Sequence, residues 1–510
     1  MKMVKSLILG SAAALVAVGG AQAADLPVKA KAVEYVKVCS LYGAGFYYIP
    51  GTDICMKVGG YIRWQETWNP GNNISGGPFL GTGGRQTRVD SQDYAQRTRA
   101  LATFDTRQQT AYGTLRTYLL LGFNQDSTSG PTTAPTVYMT RGFVQIAGFT
   151  FGKATSFFDF TSTAAVAYNA GMLYAADTGD AGQMVAGYTA QFGNGLSATI
   201  AIEQARRKGT VNLNASTSEF NISSLTTGCN DLGGLQGTTT STTTCNVGLQ
   251  DIVGNLRIDQ AWGSAQFSAA TGDRSNGYYS SSLNLNPGEP QGHGATRWGW
   301  TVAGGLRLNA PMIGPGDYFQ IQGIYSVGMT GYLAQTPSGA AQNFWKGNSV
   351  GYGFWSDGVY TNPNGVLGGS IQLTTGWSVM GSYEHFWTPS LRTSIYGSYV
   401  ALDHNAAATA AICSTQGAGV GASNSAFQGA NCNPDWSAWN IGSRSQWNIT
   451  KDLYVGLDVI YMKLNSANSG NAGNTINLAS QSGGKPVSVY TVGDQDTWAA
   501  TWRIHRDIVP

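Results

Sequence analysis

Apolar and polar residues alternate in short runs along most of this chain, and each run predicts a strand with one apolar and one wet face. In residues 57–66, Val58, Gly60, Ile62 and Trp64 share one face, while Tyr61, Arg63 and Gln65 share the other. Further on, Ala100, Ala102 and Phe104 oppose Arg99, Thr103, Asp105 and Arg107, and Leu115, Leu119, Leu121 and Phe123 oppose Arg116 and Tyr118. The same rhythm returns at 196–203, 255–259, 298–309, 319–327, 455–461 and 498–505. One face of each run suits hydrocarbon and the other suits water.

The connections are of two kinds. Short turns lie near 108–113, 148, 192–195, 262–263, 310–316, 388–389 and 448–452. Long polar segments lie near 69–94, 124–136, 153–181, 206–250, 274–296, 331–368, 403–436 and 465–494. Seven short turns alternating with eight long loops join sixteen strands, with every short connection on one side. A soluble sandwich also alternates, but it predicts no such asymmetry. The fold class expected is all-β, a transmembrane antiparallel β-barrel of sixteen strands. Trp64, Trp68, Trp377, Trp387, Trp439, Trp447 and Trp502 lie mostly near strand ends, where interfacial girdles belong.

One stretch breaks the rhythm. Residues 149–182 open on Phe157, Phe158 and Phe160 around Asp159, then turn small and polar, with Asp177 and Asp180 near the end. The phenylalanines argue that this third long loop, about 153–181, folds into the lumen and narrows it. On the first four strands, Arg63, Arg99, Arg116 and Arg141 are expected at similar depths on the polar face, as a basic wall. Asp159, Asp177 and Asp180 would face that wall across the aperture. Opposed fixed charges orient dipolar solutes, and the diameter sets a size limit. The plainer alternative is that these arginines pair with strand carboxylates such as Asp105 and simply solvate the lumen.

Composition narrows the class further. Charged residues make up 11% of the 510, aromatics also 11%, and glycine numbers 69, while mean hydropathy is only −0.14. That mixture fits lipid outside and water inside. At the N-terminus, Lys2 and Lys5 precede an apolar run and Ala21-Gln22-Ala23, so residues 1–23 read as a cleaved signal peptide. No later run is long and apolar enough for a membrane helix. Residues 24–55 form an N-terminal extension, and the barrel occupies 56–510. Loss of Lys2 and Lys5 leaves the basic residues equal to the 28 acidic ones, so no basic excess points to nucleic acid.

The six cysteines make three local pairs, Cys39 with Cys55, Cys229 with Cys245 and Cys413 with Cys432. Export favours disulfides, and local pairing is the simplest of the fifteen connectivities that six cysteines allow. The segments 233–244 and 406–428 read as flexible surface loops. The four histidines are scattered and no CxxC occurs, so no metal is expected. No phosphate-binding loop or other cofactor motif appears either. Residues 347–351 match G-x-S-x-G, but in a polar loop without the strand–elbow–helix context that the motif needs. His385 beside Phe386 and Trp387 reads as an interfacial belt residue. Nothing here points to an enzyme.

Three blocks, VEYVKVCSLYGAGFYYIPGTDIC (33–55) with KVGGYIR (57–63), FTFGKATSFFDF (149–160) and EHFWTPSLRTSIYGSYV (384–400), resemble the porins of α-proteobacteria. The resemblance spans the mature chain and is weakest in the long loops. It implies a sixteen-stranded homotrimeric channel whose third loop enters the pore. It also places Lys153 to Asp159 near the narrowest point and makes Cys39–Cys55 a disulfide. The expected function is an outer-membrane porin for passive diffusion of small hydrophilic solutes and ions, embedded in outer-membrane lipid. The rivals are a solute-selective channel of the same architecture and a secreted β-rich adhesin.

Overall fold

The computed structural model describes residues 37–68, 94–127, 134–161, 165–169, 173–174, 182–208, 210–212, 243–244, 249–274, 296–334, 341–361, 370–416, 427–428, 432–469, 474–478 and 488–509. The chain divides into two compact units, Met1–Cys55 and Met56–Pro510.

From residue 37, the first unit is a hairpin closed by the Cys39–Cys55 disulfide. Cys39 N donates to Phe46 O, Tyr48 N to Lys37 O and Ile49 N to Ile54 O. Phe46 and both half-cystines form its small buried centre, with Tyr42 and Tyr48 packed against it.

The second unit is the barrel. Its strands are β1 (Cys55–Trp68), β2 (Tyr94–Thr110), β3 (Gly113–Asp126), β4 (Thr136–Ile146), β5 (Phe149–Ala154), β6 (Gln183–Gly193), β7 (Leu196–Glu203) and β8 (Asp251–Gln260). They continue as β9 (Gly263–Arg274), β10 (Arg297–Asn309), β11 (Tyr318–Val327), β12 (Thr375–Phe386), β13 (Leu391–Asp403), β14 (Trp436–Thr450), β15 (Leu453–Asn465) and β16 (Gln495–Val509). Each pairs with the next, and β1 pairs antiparallel with β16, for example Arg63 opposite His505, so the sheet closes on itself. Closure leaves no strand edge to satisfy in lipid.

The sixteen strands and the two kinds of connection agree with the sequence reading. Where two residues suffice, the chain supplies the residues that the turn demands. Asn194 and Gly195 take positive φ between β6 and β7, as a hairpin turn matching strand twist requires. Ile200 is 65% exposed on the outer face, while its neighbours Thr199 and Ala201 are buried on the inner one. Trp387 and Trp447 stay exposed towards the short-turn end, and Trp68 and Trp298 towards the long-loop end.

The long loops are knitted together. Thr210–Asn212 pairs in parallel with Gly358–Thr361, and Ser349–Phe354 pairs in parallel with Ser488–Val492. The segment 406–428 was expected to be irregular, yet it begins as an α-helix, Ala406–Gln416. Alanine favours the helix, and the Asn405 side chain accepts from Ala408 N at its start. Ala408 and Ile412 are buried, and Cys413–Cys432 fastens the helix. The expected Cys229–Cys245 pair lies outside the described residues.

A large apolar core joins these loops to the inner faces of β12–β16. Trp355, Tyr352, Leu333 and Ile412 from the loops meet Met380, Leu402, Ile460 and Leu464 from the strands. Towards the long loops, the inner wall of these strands is therefore dry rather than wet.

Candidate functional site

After β5, the described residues of the third long connection, 155–161, 165–169, 173–174 and 182, lie against polar side chains of the strands. Glu203 on β7 receives it first, accepting from Ser156 Oγ at 2.5 Å and Phe157 N at 2.8 Å. Asn255 on β8 donates to Phe157 O, and Gln266 on β9 donates to Asp159 O. The Phe160 ring covers Gly305 on β10, where an added Cβ would lie 2.2 Å from the ring. Thr161 donates to Gln322 on β11.

The later part continues round the wall. Ser394 on β13 donates to Val166 O, and Arg444 on β14 donates to Ala165 O. Asp458 on β15 accepts from the backbone N–H groups of Tyr168 and Asn169 at 2.6 and 2.9 Å. Thr501 on β16 donates to Asn169 Oδ1. The described parts of this loop thus contact the wall from β7 round to β16.

Residue counts fix the height of this belt. Asn255, Gln266, Gln322, Ser394 and Asp458 all stand three to five residues from the short-turn end of their strands. Three to five residues correspond to roughly 10–17 Å along a strand. At the same count on the neighbouring strands stand Asp105 and Arg107 on β2, Arg116 and Tyr118 on β3, and Arg141 and Phe143 on β4.

Asp159 does not face that wall. Its carboxylate meets the Arg206 guanidinium at 2.8 Å, and both side chains are withdrawn from water. Burial works against the Arg206 charge, but Asp159 and then Tyr332 beside it more than restore it. Arg206 also lies over the Tyr332 ring at 4.6 Å, and Phe158 meets that ring edge to face. Burial raises the Tyr332 phenol well above its usual range, so it stays a donor to Asp251 at 3.0 Å. Asp251 and Asp357 in turn flank the fully buried Arg274 at 3.3 and 3.2 Å. One buried charge network therefore joins the inner loop, the loop after β7, the loop after β11 and the ends of β8 and β9.

The other expected site residues divide. Register sets Lys153 opposite Gly142 and Met184, on the face of Phe149 and Phe151. Phe149, Phe151 and Met184 are 44–49% exposed on the outer surface, so Lys153 does not belong to the lumen side. Arg116 and Arg141 stand at the height of the loop belt, and Arg63 stands eight residues into β1. Arg99 is eleven residues from the end of β2, opposite Asn124, and bonds to that residue's Oδ1 at 2.8 Å. The four arginines are thus not one row. Arg116 does pair with Asp105, as the plainer alternative held. Arg141 donates to Thr155 Oγ1 at the start of the loop. Asp177 and Asp180 lie outside the described residues.

Several residues that matter carried no motif. Glu203 and Asp458 were lone charges on the polar faces of alternating runs, and Arg206 opened the basic triplet Arg206-Arg207-Lys208. The inner apolar patch had a signal in YVAL (399–402) and VIYMKL (459–464), where apolar residues fall on both faces. Ser349 of the G-x-S-x-G match opens the second strand of a tight hairpin, Ala341–Lys346 to Ser349–Phe354. A strand does precede it, unlike the sequence reading, but another strand follows where the motif needs a helix. His385 binds Asp317 through Nδ1 at 2.7 Å and packs on Trp387.

Comparison with known proteins places this architecture. A family model described as Porin subfamily matches residues 25–501. The chain is similar to porin Omp2b of Brucella melitensis, 35% identical over 51% of this chain and 64% of that one. Omp2b of Brucella abortus is 34% identical over the same shares. Each match thus spans somewhat less than two thirds of the relative. Among solved structures, the outer membrane channel DcaP of Acinetobacter baumannii aligns with a TM-score of 0.54 at 12% identity, covering 90% of this chain and 99% of that one. That likeness concerns the fold alone.

Proposed function

Because the chain belongs to the Porin subfamily, we propose that it forms a water-filled channel in the bacterial outer membrane. Small hydrophilic solutes and ions pass through it by passive diffusion, without catalysis. The observation that carries this reading is the asymmetry of the lumen at one height. The described residues of the loop 155–182 bond to the wall from β7 to β16, while Arg107 on β2 and Arg116 on β3 keep part of their side chains in water. The aperture is the space between them, and its width sets the size limit. Asp177 and Asp180 belong to this reading on sequence grounds, as members of the same loop.

The short turns then face the periplasm and the long loops the exterior, with the outer strand faces in lipid. Residues 1–23 are the leader removed on export. The blocks shared with α-proteobacterial porins support a homotrimer. Proteoliposomes carrying the mature protein should swell in small sugars, at a rate that falls steeply with sugar size. No swelling with folded, heat-modifiable protein would end the porin reading in favour of an adhesin. Native mass measurement in detergent should give three chains.

The second reading, a solute-selective channel, has one observation in its favour. The apolar core of Trp355, Ile412 and Leu464 fills the inner wall of β12–β16 near the exterior, where a plain pore needs only water. A saturating conductance inhibited by one solute class would establish it.

A further inference from the structure

The outer face of the barrel is not apolar all the way round. On β7–β11 the outward positions carry Ile200, Leu256, Phe267, Trp300 and Ile321, all exposed and all suited to hydrocarbon. β5 departs from that pattern twice. It has six residues, Phe149–Ala154, where a strand that crosses a bilayer needs about nine to eleven. Its outward row also ends on a charge, running Phe149, Phe151, Lys153.

Lys153 lies between Gly142 on β4 and Met184 on β6, and neither neighbour offers its ammonium a counter-charge. It stands four residues from the short-turn end of β5, and Met184 stands nine from that of β6. Those counts set Lys153 roughly 10–20 Å above the short turns, inside an apolar band about 25 Å tall. A lysine facing lipid at such depth destabilises a barrel. Something other than hydrocarbon must therefore cover this part of the wall.

The complementary charge stands on β1. Glu66 continues the outward row of Ile62 and Trp64, two residues short of the long-loop end, and register sets it opposite Trp502. Gln96 on β2 donates to its Oε2 at 2.9 Å. β1 and β5 are four strands apart in the sheet, roughly 19 Å, so Lys153 and Glu66 of one chain do not meet. In a closed ring of like chains, each interface joins two different patches of the same surface. The β5 side of one chain then faces the β1 side of the next.

We infer that the outer face of β1–β5 packs against a second copy of this chain, with Lys153 of one copy paired to Glu66 of the next. The inference rests on the porin reading and its homotrimer. It gives the short β5 a physical reason, because protein rather than lipid covers the wall where that strand stops.

The test reads trimer stability of the mature protein in detergent and conductance in a planar bilayer. Native mass and the migration of unboiled protein follow the trimer, and heat-modifiable migration of the released monomer shows that each variant has folded. Lys153→Glu should release monomers at a lower temperature than the native chain does, and adding Glu66→Lys should restore the trimer. Lys153→Leu separates the two surroundings. Against a second copy it loses the pair and loosens the trimer; against lipid it removes a costly charge and leaves the trimer as firm as before.

A trimer of native firmness in Lys153→Glu or Lys153→Leu would overturn the inference while the porin reading stands. So would a reversed pair no firmer than Lys153→Glu alone, or a native chain that conducts as a monomer. Folded protein that forms no pores would remove the porin reading, and the inference with it.

Discussion

The Asp159 carboxylate and the Arg206 guanidinium meet at 2.8 Å with 2% and 10% of their side chains exposed, tying the inner loop to the loop that follows β7. This contact replaces the one expected for Asp159 across the aperture. A carboxylate flanked by Phe158 and Phe160 loses its hydration when those rings pack. It must then find a cation at once.

Removing one partner of a buried ion pair costs about 3–5 kcal/mol, because the other charge is left bare. Arg206→Ala should therefore loosen the loop, raising open-channel current noise and lowering the temperature of the heat-modifiable band shift. Asp159→Leu combined with Arg206→Leu should recover part of the thermal loss. A quiet Arg206→Ala channel with unchanged melting would show that the pair is no anchor.

Gly305 offers a steric probe of the same loop. Its missing Cβ would fall 2.2 Å from Phe160, so Gly305→Ala should push the ring and loop off β10 while the strand still forms. Single-channel conductance should change in that variant. Adding Phe160→Ala should restore it, and an unaltered current in Gly305→Ala would mean that the ring does not rest there.

The Cys413–Cys432 disulfide closes a connection of 19 residues, worth about 3 kcal/mol of loop-closure entropy. A reducing agent should lower the unfolding midpoint of the native protein more than that of the Cys413→Ser, Cys432→Ser double variant, which keeps Cys39–Cys55. Equal sensitivity in the two proteins would place the effect elsewhere.

Trp355 is fully buried and meets Trp436 edge to face at 5.2 Å. Truncating a buried tryptophan costs about 3–5 kcal/mol. Trp355→Ala should open the cap at the long-loop end first, seen as faster protease cleavage within 404–435 and 466–494 before the barrel melts. Cleavage at the native rate would show that the loops hold without this core.

Much of the site could be placed from the chain by parity alone. Counting by twos from Phe149 carries Phe151 and Lys153 to the same face, so the outward position of Lys153 was readable. The resemblance to the porins of α-proteobacteria instead implied that Lys153, with Asp159, lies near the narrowest point. For Arg99 and Arg116, parity gave the face correctly, but height needed the cross-strand register, which sets Arg99 opposite Asn124 and Arg116 opposite Arg107.

By itself the sequence determined the sixteen strands, their lipid and water faces, and the split into short turns and long loops. These are local properties, because the two-residue period of a strand and the residues of a tight turn are written within a few positions. Only the tertiary structure decided where Asp159 points and which loop residues pack against the inner strand faces. Asp159 finds Arg206 and Tyr168 finds Asp458 across 47 and 290 residues, and Trp355 finds Trp436 from another long loop. Such partners are chosen by which groups lose water together when the barrel closes. No spacing along the chain encodes that choice.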